Sequence, residues 1–144
     1  MQRAAVMLAA ALALLALAAA AQASTIRITD RELSYQRLDE GPHGSGPGDL
    51  EIAWLALYNR RITAKALGHA ELLCTVMTGR SRTCTTTYFL PKGKLVVQGV
   101  IGSRLLYELP VVGGTGIYAA ARGTLYVTAR TLSPREEILL FRLQ

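Results

Sequence analysis

The chain has 144 residues, with 16 Lys and Arg against 10 Asp and Glu, which gives a formal net charge of +6. This length has room for one domain with a single core, and it excludes two full domains or a catalytic apparatus of kinase size. Apolar residues make up 51% of the chain. The first 23 residues account for much of that fraction.

Residues 1–23 contain one charge, Arg3, and an unbroken apolar stretch from Ala4 to Ala21. The segment ends in Ala-Gln-Ala, which fits the small-x-small rule for signal peptidase, and together these features predict a cleaved secretory signal. The alternative is an uncleaved transmembrane anchor, since 18 apolar residues just span a bilayer. We expect a secreted or extracellular protein, or a periplasmic or envelope one, with no stable membrane span after processing. The mature domain would be residues 24–144, with a charge of +5.

Cys74 and Cys84 are the two cysteines of the chain. In an oxidising compartment an even count favours a disulfide. The turn signal at residues 78–81 would place the two cysteines opposite each other across a hairpin, where a disulfide fits. Two buried free thiols are the alternative. No metal site is expected, because His43 and His69 stand at spacings unrelated to a zinc pattern.

Turn-forming residues divide the mature chain into eight strand-like runs. These are residues 25–29, 50–58, 66–77, 82–90, 94–101, 104–112, 123–131 and 136–143. Period-two alternation within several runs predicts antiparallel sheet. Residues 117–122 could form a helical turn, and the Gly- and Pro-rich stretch 38–49 is expected to be a mobile loop.

The second run is apolar on both of its faces. Ile52 and Trp54 lie on one face, and Leu55 and Leu57 lie on the other. A sheet with one face in water would alternate cleanly between apolar and polar residues. The pattern therefore favours an all-β, eight-stranded antiparallel barrel over a sandwich, with an apolar lumen. Its outer surface would be covered in part by a subunit interface.

A strand ending in Gly113-Gly114-Thr115-Gly116 is the most distinctive local motif. Such a motif could cradle a phosphate, as in dinucleotide-binding folds. Those folds need βαβ units and place the glycines near their beginning, whereas only 28 residues follow Gly116. Phosphate binding by this motif is therefore disfavoured.

Several segments, in this order along the chain, resemble the allene oxide cyclase-like barrel superfamily, which includes the dirigent proteins. They are Gly48-Asp49-Leu50, Leu57-Tyr58-Asn59, Leu73-Cys74-Thr75, Val96-Val97-Gln98-Gly99, Val111-Val112-Gly113-Gly114-Thr115-Gly116-Ile117-Tyr118 and Ala121-Arg122-Gly123. Residues 108–116 are especially close to the dirigent pattern. The resemblance spans residues 48–143 and implies an eight-stranded antiparallel barrel with an apolar pocket, commonly assembled as a trimer.

The resemblance also implies a function. Allene oxide cyclases carry a Glu-x-Asn pair on their first strand, where this chain has Arg27-Ile28-Thr29, so their cyclisation is not expected here. Dirigent proteins are similar in being secreted and in binding phenoxy radicals made by a separate oxidase, without a cofactor of their own. Some members protonate and deprotonate a quinone methide with carboxylates and arginine.

Residues that could serve this chemistry occur along the whole chain. The predicted catalytic residues are Glu108, Arg122 and Asp49, with Asp30 and Glu71 as further candidates. The predicted ligand-binding residues are Tyr58, Tyr88, Tyr107, Tyr118 and Trp54. Each has a structural alternative: an outward salt bridge for Glu108, tethering of the glycine turn for Arg122 and a turn cap for Asp49. The tyrosines and Trp54 would otherwise fill volume in the core or in an interface.

Three functional hypotheses follow. The barrel directs the stereoselective coupling or cyclisation of a small apolar or aromatic intermediate, or it carries a lipophilic molecule without catalysis. In the third, its lumen is filled and it acts through its surface at the cell envelope. A lumen without room for a ligand of several hundred Å³ would refute the first two. The expected partners are a small ligand and further copies of the chain, as a trimer or dimer. Scattered basic residues argue against nucleic acid.

Overall fold

The computed structural model describes residues 24–41, 44, 46–63, 65–78, 80–102 and 105–144. The predicted signal segment, residues 1–23, lies outside the described residues. The elements are β1 (Ser24–Leu38), β2 (Leu50–Asn59), β3 (Gly68–Thr78), β4 (Ser81–Leu90), β5 (Gly93–Ile101), β6 (Leu106–Gly114), a single 3₁₀ turn (Gly116–Tyr118), β7 (Gly123–Leu132) and β8 (Arg135–Leu143). Within the described part of the chain, no helix is long and apolar enough to cross a bilayer.

The strands form a closed antiparallel barrel in which each strand pairs with its neighbours in sequence and β8 pairs with β1. The predicted eight-stranded barrel is confirmed. Closure gives every strand two partners, although β5 and β6 pair only over Leu95–Val97 and Val111–Gly114. The predicted helical turn at 117–122 is shorter in the structure and begins one residue earlier, at Gly116.

Alternation decides which side chains fill the lumen. On β2, Ala53, Leu55 and Leu57 face inward and are buried, while Ile52 and Trp54 face outward and are about 40% exposed. Neighbouring strands place residues of matching parity beside them in register. The largest fully buried side chains are Phe141, Leu57, Leu95, Leu109, Leu125, Leu139, Val97 and Val127. These residues fill much of the lumen with apolar volume, away from the polar cavity described below.

Strand β1 is three times as long as the predicted run of residues 25–29, because it continues through a polar segment to Leu38. Its pairing with β2 shifts register between Glu32 and Ser34, so Leu33 is an extra residue, a β-bulge, with 60% of its surface exposed. The bulge changes which parity faces inward, since Glu32 is opposite Leu55 whereas Tyr35 is opposite Ala53. Both Glu32 and Tyr35 therefore face the lumen.

Cys74 on β3 and Cys84 on β4 lie directly opposite each other in register and are joined by a disulfide. The predicted disulfide is confirmed. Both cysteines are buried, so the bond is part of the inner wall of the barrel.

The glycine motif closes the end of the barrel at the β4–β5 turn. A Cβ on Gly114 would lie 2.4 Å from the carbonyl oxygen of Lys94, and a Cβ on Gly116, where φ is +61°, would lie 2.3 Å from that of Lys92. The N–H groups of Thr115 and Ile117 donate to these two carbonyls. The N–H groups of Thr115 and Ile117 are therefore engaged in packing the motif against this turn.

Candidate functional site

One end of the lumen remains open as a polar cavity. It has a volume of about 180 Å³ and is lined by charged side chains from four strands together with apolar wall residues. Its lining includes Glu32, Tyr35, Glu51, Cys74, Arg82 and Arg135. Tyr118 and the glycine motif lie at the opposite end of the barrel, because β6 ends there while β4 begins at the cavity. We call this space the lumen pocket.

The volume of the lumen pocket limits what it can hold. It is smaller than the several hundred Å³ of a typical site for a drug-sized ligand. The enclosed space required by the first two functional hypotheses is therefore absent for a whole ligand of that size, and those hypotheses stay open only for a smaller group. A cavity of about 150 Å³ is known to hold benzene. The lumen pocket therefore has room for one aromatic ring, and the rest of a larger ligand would have to extend through the mouth.

Glu51 and Arg82 form an ion pair in the wall of the lumen pocket. Arg82 Nη1 donates to Glu51 Oε2 at 2.6 Å, with both side chains largely shielded from solvent. Arg82 Nε is buried and has no hydrogen-bond partner among the described residues. A buried donor without an acceptor costs about 1–3 kcal/mol, so an oxygen atom of a ligand would be stabilised at this position.

Arg135 anchors a second polar cluster behind the lumen pocket. Its Nε and Nη2 donate to Glu137 Oε1 at 2.8 and 2.6 Å, and Nη2 also donates to the hydroxyl oxygen of Tyr107 at 3.0 Å. The Tyr107 hydroxyl donates to Glu137 Oε2 at 3.2 Å. Asp30 completes the cluster, since the N–H of Glu137 donates to Asp30 Oδ1 at 2.9 Å, while Asp30 Oδ2 is buried without a partner among the described residues.

This second cluster has two buried carboxyl groups and one guanidinium. Burial raises the pKa of Asp30 well above its usual value, and the charge of Glu137 raises it further. Burial also raises the pKa of Glu137, although Arg135 and Tyr107 oppose that rise. One cation balances one carboxylate, and the excess buried carboxyl favours its protonated form. We infer that the pair holds a proton more tightly than exposed carboxyls do.

The basic and phenolic groups of the cluster respond to the same environment. Burial is the largest single effect and acts to lower the pKa of Arg135, but Glu137, Tyr107 and Asp30 together raise it more, so the net direction is upward and Arg135 stays charged. Burial and then the charge of Glu137 raise the pKa of Tyr107. Burial raises the pKa of Tyr88, whose ring meets the ring of Phe141 edge-on. Both tyrosines are therefore neutral hydroxyl groups at physiological pH.

Glu32 differs from the other acids of the lumen pocket. It lies on β1 at the bulge, is partly exposed and lines the cavity. Among the described residues its carboxylate makes no ion pair or hydrogen bond. Glu32 is therefore a carboxylate at the mouth of the lumen pocket that is available to a ligand.

The structure separates the three predicted catalytic residues from one another and from the lumen pocket. Glu108 is exposed on β6 with outward parity, between the inward-facing Tyr107 and Leu109. Arg122 is exposed before β7, and its guanidinium donates to the carbonyl of Ala121. Neither residue lines the lumen pocket, so neither belongs to the candidate site.

Asp49 is buried, but it serves the loop before β2 rather than the lumen pocket. Its carboxylate accepts hydrogen bonds from the N–H groups of Gly46 and Glu40 and from Arg37. The bond from Gly46, followed by those from Arg37 and Glu40, lowers the pKa of Asp49 to about 2. This arrangement matches the turn-capping alternative and ties down the end of the loop predicted at residues 38–49.

The five predicted ligand-binding residues divide into inner and outer groups. Tyr88 and Tyr107 face inward and belong to the buried network near the lumen pocket. Tyr58 and Trp54 have outward parity on β2, and Tyr118 packs against the core from the 3₁₀ turn. Neither Tyr88 nor Tyr107 lines the lumen pocket: Tyr107 accepts a hydrogen bond from Arg135, which does line it, and Tyr88 packs on Phe141. The role of all five as ligand contacts stays a prediction.

Trp54 lies in a second, open groove on the outer face of β1 to β4, with a volume of about 790 Å³. Its ring stacks on His69, with centroids 4.5 Å apart, and His69 stacks on Phe89 at 4.3 Å. Ile52 and Leu73 line the same groove and are exposed. The apolar residues of outward parity on β2 predicted an apolar outer surface, and this groove is part of it.

Sequence reasoning missed Glu32, Glu51, Arg82, Arg135 and Glu137. The signal for four of them was present in the strand alternation, since Arg82 shares the parity of Cys84 on β4 and Arg135 shares that of Leu139 on β8. Glu51 has the parity of the apolar inward residues of β2, and Glu137 has the parity of the inward residues of β8. Within the part of the chain that the structure describes, no group of three or more Cys, His, Asp or Glu is placed to hold a metal ion.

No family model and no curated protein matches the chain. Several solved structures match its fold. A pyocyanin demethylase superposes with a TM-score of 0.71 at 20% identity, covering 84% of this chain and all of its own. A pterocarpan synthase dirigent protein superposes with a TM-score of 0.66 at 16% identity, covering 85% of this chain and 83% of its own.

A third match is the Diels–Alderase AbmU from Streptomyces koyangensis, with a TM-score of 0.62 at 15% identity, covering 90% of this chain and 74% of its own. At these identities the matches establish the fold. They confirm the predicted resemblance at that level.

Proposed function

The chain has the eight-stranded barrel fold shared by dirigent proteins, Diels–Alderases and cyclases, and on that premise we propose that it directs the cyclisation of a small oxygen-bearing aromatic intermediate. One observation supports this proposal above the others. A cavity with room for one ring has in its lining two guanidinium groups, Arg82 and Arg135, and a carboxylate, Glu32, that makes no ion pair or hydrogen bond among the described residues. These groups can accept a proton and stabilise a developing oxyanion in the same small space.

The two arginines would hold the oxygen atom of the ligand. Arg82 Nε is a buried donor without an acceptor, and Arg135 is kept charged by Glu137. A carbonyl or phenolate oxygen that accepts from them gains charge-assisted hydrogen bonds in a site shielded from water. Glu137, Tyr107 and Asp30 act through Arg135 and are positioning residues in this proposal.

Glu32 would act as the general base. In the closure of a quinone methide by a hydroxyl group of the same molecule, Glu32 takes the proton of the attacking hydroxyl as the new C–O bond forms. The electron pair of the exocyclic C=C bond moves into the ring, the former carbonyl oxygen takes a proton from water at the mouth of the pocket to become a phenol, and Glu32 returns its proton to water. The proton count is unchanged, so the reaction is an isomerisation that needs no oxidant.

Three further features belong to the same proposal. The signal segment would export the protein, as expected from residues 1–23. The apolar outer groove around Trp54 would be covered by another copy of the chain in a dimer or trimer, because Ile52 and Leu73 continue its exposed apolar surface. Where a separate oxidase supplies phenoxy radicals, the lumen pocket would hold one ring and orient its coupling.

The proposal is tested with an ortho-quinone methide that is generated in solution and has a tethered hydroxyl group. Chiral chromatography of the cyclic ether measures the enantiomeric excess. Wild-type protein should give an excess, and Glu32→Gln and Arg82→Gln should lose most of it. Glu108→Gln and Arg122→Gln make the same chemical changes on the outer surface, so they should keep the wild-type excess.

The outcomes separate the hypotheses. A racemic product with wild-type protein would refute the catalytic proposal. If the same protein bound a simple phenol in the lumen pocket, as judged by chemical shifts of nearby residues, the non-catalytic carrier would be favoured instead. Retained selectivity in Glu32→Gln, with selectivity lost in Glu108→Gln, would move the site to the outer surface.

A further inference from the structure

A charged groove, separate from the lumen pocket, lies on the outer face of the barrel where β1 meets β8. It has a volume of about 550 Å³, and four arginines line it: Arg31, Arg60, Arg61 and Arg130. The remaining lining residues are Glu136 and two isoleucines, Ile62 and Ile138. We call it the arginine groove; it shares no lining residue with the lumen pocket.

The positive charge of the arginine groove is only partly balanced. Arg31 Nε and Nη2 both donate to Glu136 Oε1, at 2.9 and 2.7 Å. Arg130 Nη1 lies 3.9 Å from Glu136 Oε2, an ion pair without a hydrogen bond. The side chains of Arg60 and Arg61 make no ion pair or hydrogen bond with the described residues. One carboxylate therefore faces four guanidinium groups.

The backbone that presents Arg60 and Arg61 is held in place. The buried hydroxyl of Thr29 donates to the carbonyl of Arg60 at 3.0 Å, and Arg60 has a positive φ of 24°. On the opposite side, the register of β1 and β8 places Arg31 directly beside Glu136. The two sides of the groove are thus fixed by the barrel, which limits the ordering cost of binding a ligand between them.

We propose that the arginine groove is a binding site for a phosphate-class oxyanion. A guanidinium offers a planar fork of N–H donors that matches the oxygens of phosphate. Because Glu136 already engages the fork of Arg31, the forks of Arg60, Arg61 and Arg130 supply the free donors, and a phosphate group has three or four oxygens to accept them. The groove is larger than a phosphate ion, so an esterified phosphate also fits it.

The test measures binding of inorganic phosphate and of phosphatidylglycerol vesicles, with chloride and phosphatidylcholine as the respective references at constant ionic strength. Phosphate should raise Tm in a saturable way. Arg60→Gln combined with Arg61→Gln should weaken binding about tenfold or more, because charge-assisted hydrogen bonds are lost. Arg80→Gln combined with Lys92→Gln removes the same charge from exposed turns and should leave binding unchanged.

Glu136→Gln supplies a readout that a general charge effect would not give. It removes the carboxylate that competes with the anion for Arg31 and Arg130, so phosphate binding should become tighter, whereas the Arg80→Gln, Lys92→Gln pair changes the net charge by more and should leave binding unchanged. Binding in the phosphate arm identifies a soluble anion, and binding confined to the vesicle arm identifies a lipid headgroup. Binding in neither arm, or equal loss in both double variants, would overturn the proposal.

Discussion

Replacing Asp30 by Asn should stabilise the protein at neutral pH. Asp30 is fully buried, and its carboxyl accepts one hydrogen bond, from the backbone N–H of Glu137. Asn keeps that acceptor and has nearly the same shape. It removes a group whose charged form is opposed by burial and by the charge of Glu137.

The size and the pH dependence of this effect follow from the raised pKa. A carboxyl whose pKa is higher in the folded than in the unfolded chain contributes stability below the unfolded value of 3.8 and loses it as pH rises through the folded pKa. Each unit of difference corresponds to about 1.4 kcal/mol above the folded pKa. We expect Asp30→Asn to gain about 1–3 kcal/mol at neutral pH, or about 4–12 °C in Tm.

Urea unfolding followed by circular dichroism, at about pH 7 and about pH 3.5, measures this gain if the slope of free energy against urea stays constant. The gain should be present at neutral pH and largely absent at the acid pH. The exposed substitution Glu108→Gln serves as the control and should change stability little at either pH. Destabilisation by Asp30→Asn at neutral pH, or an equal gain at both pH values, would refute the role assigned to the buried carboxyl pair.

Three further substitutions test the frame around the pocket. Cys74→Ala combined with Cys84→Ala should lower the free energy of unfolding by about 2–3 kcal/mol, because the disulfide closes a short loop; two titratable thiols in native wild-type protein would contradict the bond. Gly114→Ala should lower Tm strongly, because its Cβ would meet a backbone carbonyl, whereas Gly102→Ala, with open space around it, should not. The lowered pKa of Asp49, about 2, predicts that its contribution is present above 3.8 and lost as pH falls toward 2, so Asp49→Asn should destabilise at about pH 6 and have little effect at about pH 2 in urea unfolding.

The sequence contained enough information for the barrel because most strands combine alternation with clear turn signals. On β2 the apolar residues of both parities predicted an apolar lumen and a covered apolar exterior, and the structure shows Leu55 and Leu57 inside with Ile52 and Trp54 outside. The opposed positions of Cys74 and Cys84 followed from the turn between them. These features depend on residues close together in the sequence, so they can be recognised from one sequence.

The candidate site was harder to predict because it breaks the patterns on which strand prediction depends. The second half of β1 is polar where it faces the pocket, so Glu32 lay beyond the end of the predicted run. Arg135 and Glu137 are close in sequence, but their partners Tyr107 and Asp30 come from distant strands. Glu108 has the residue type expected of a catalytic acid, yet its outward parity is decided by the pairing of β6.

The bulge at Leu33 affects how other chains should be aligned with this one. Because Leu33 is the extra residue, a related chain that lacks one residue at this point would keep Glu32 and Tyr35 on the same side of the sheet. A gap of one residue elsewhere in β1 would instead exchange inward and outward positions along part of the strand. The position of a gap in β1 is therefore as informative about the pocket of a homologue as the residues themselves.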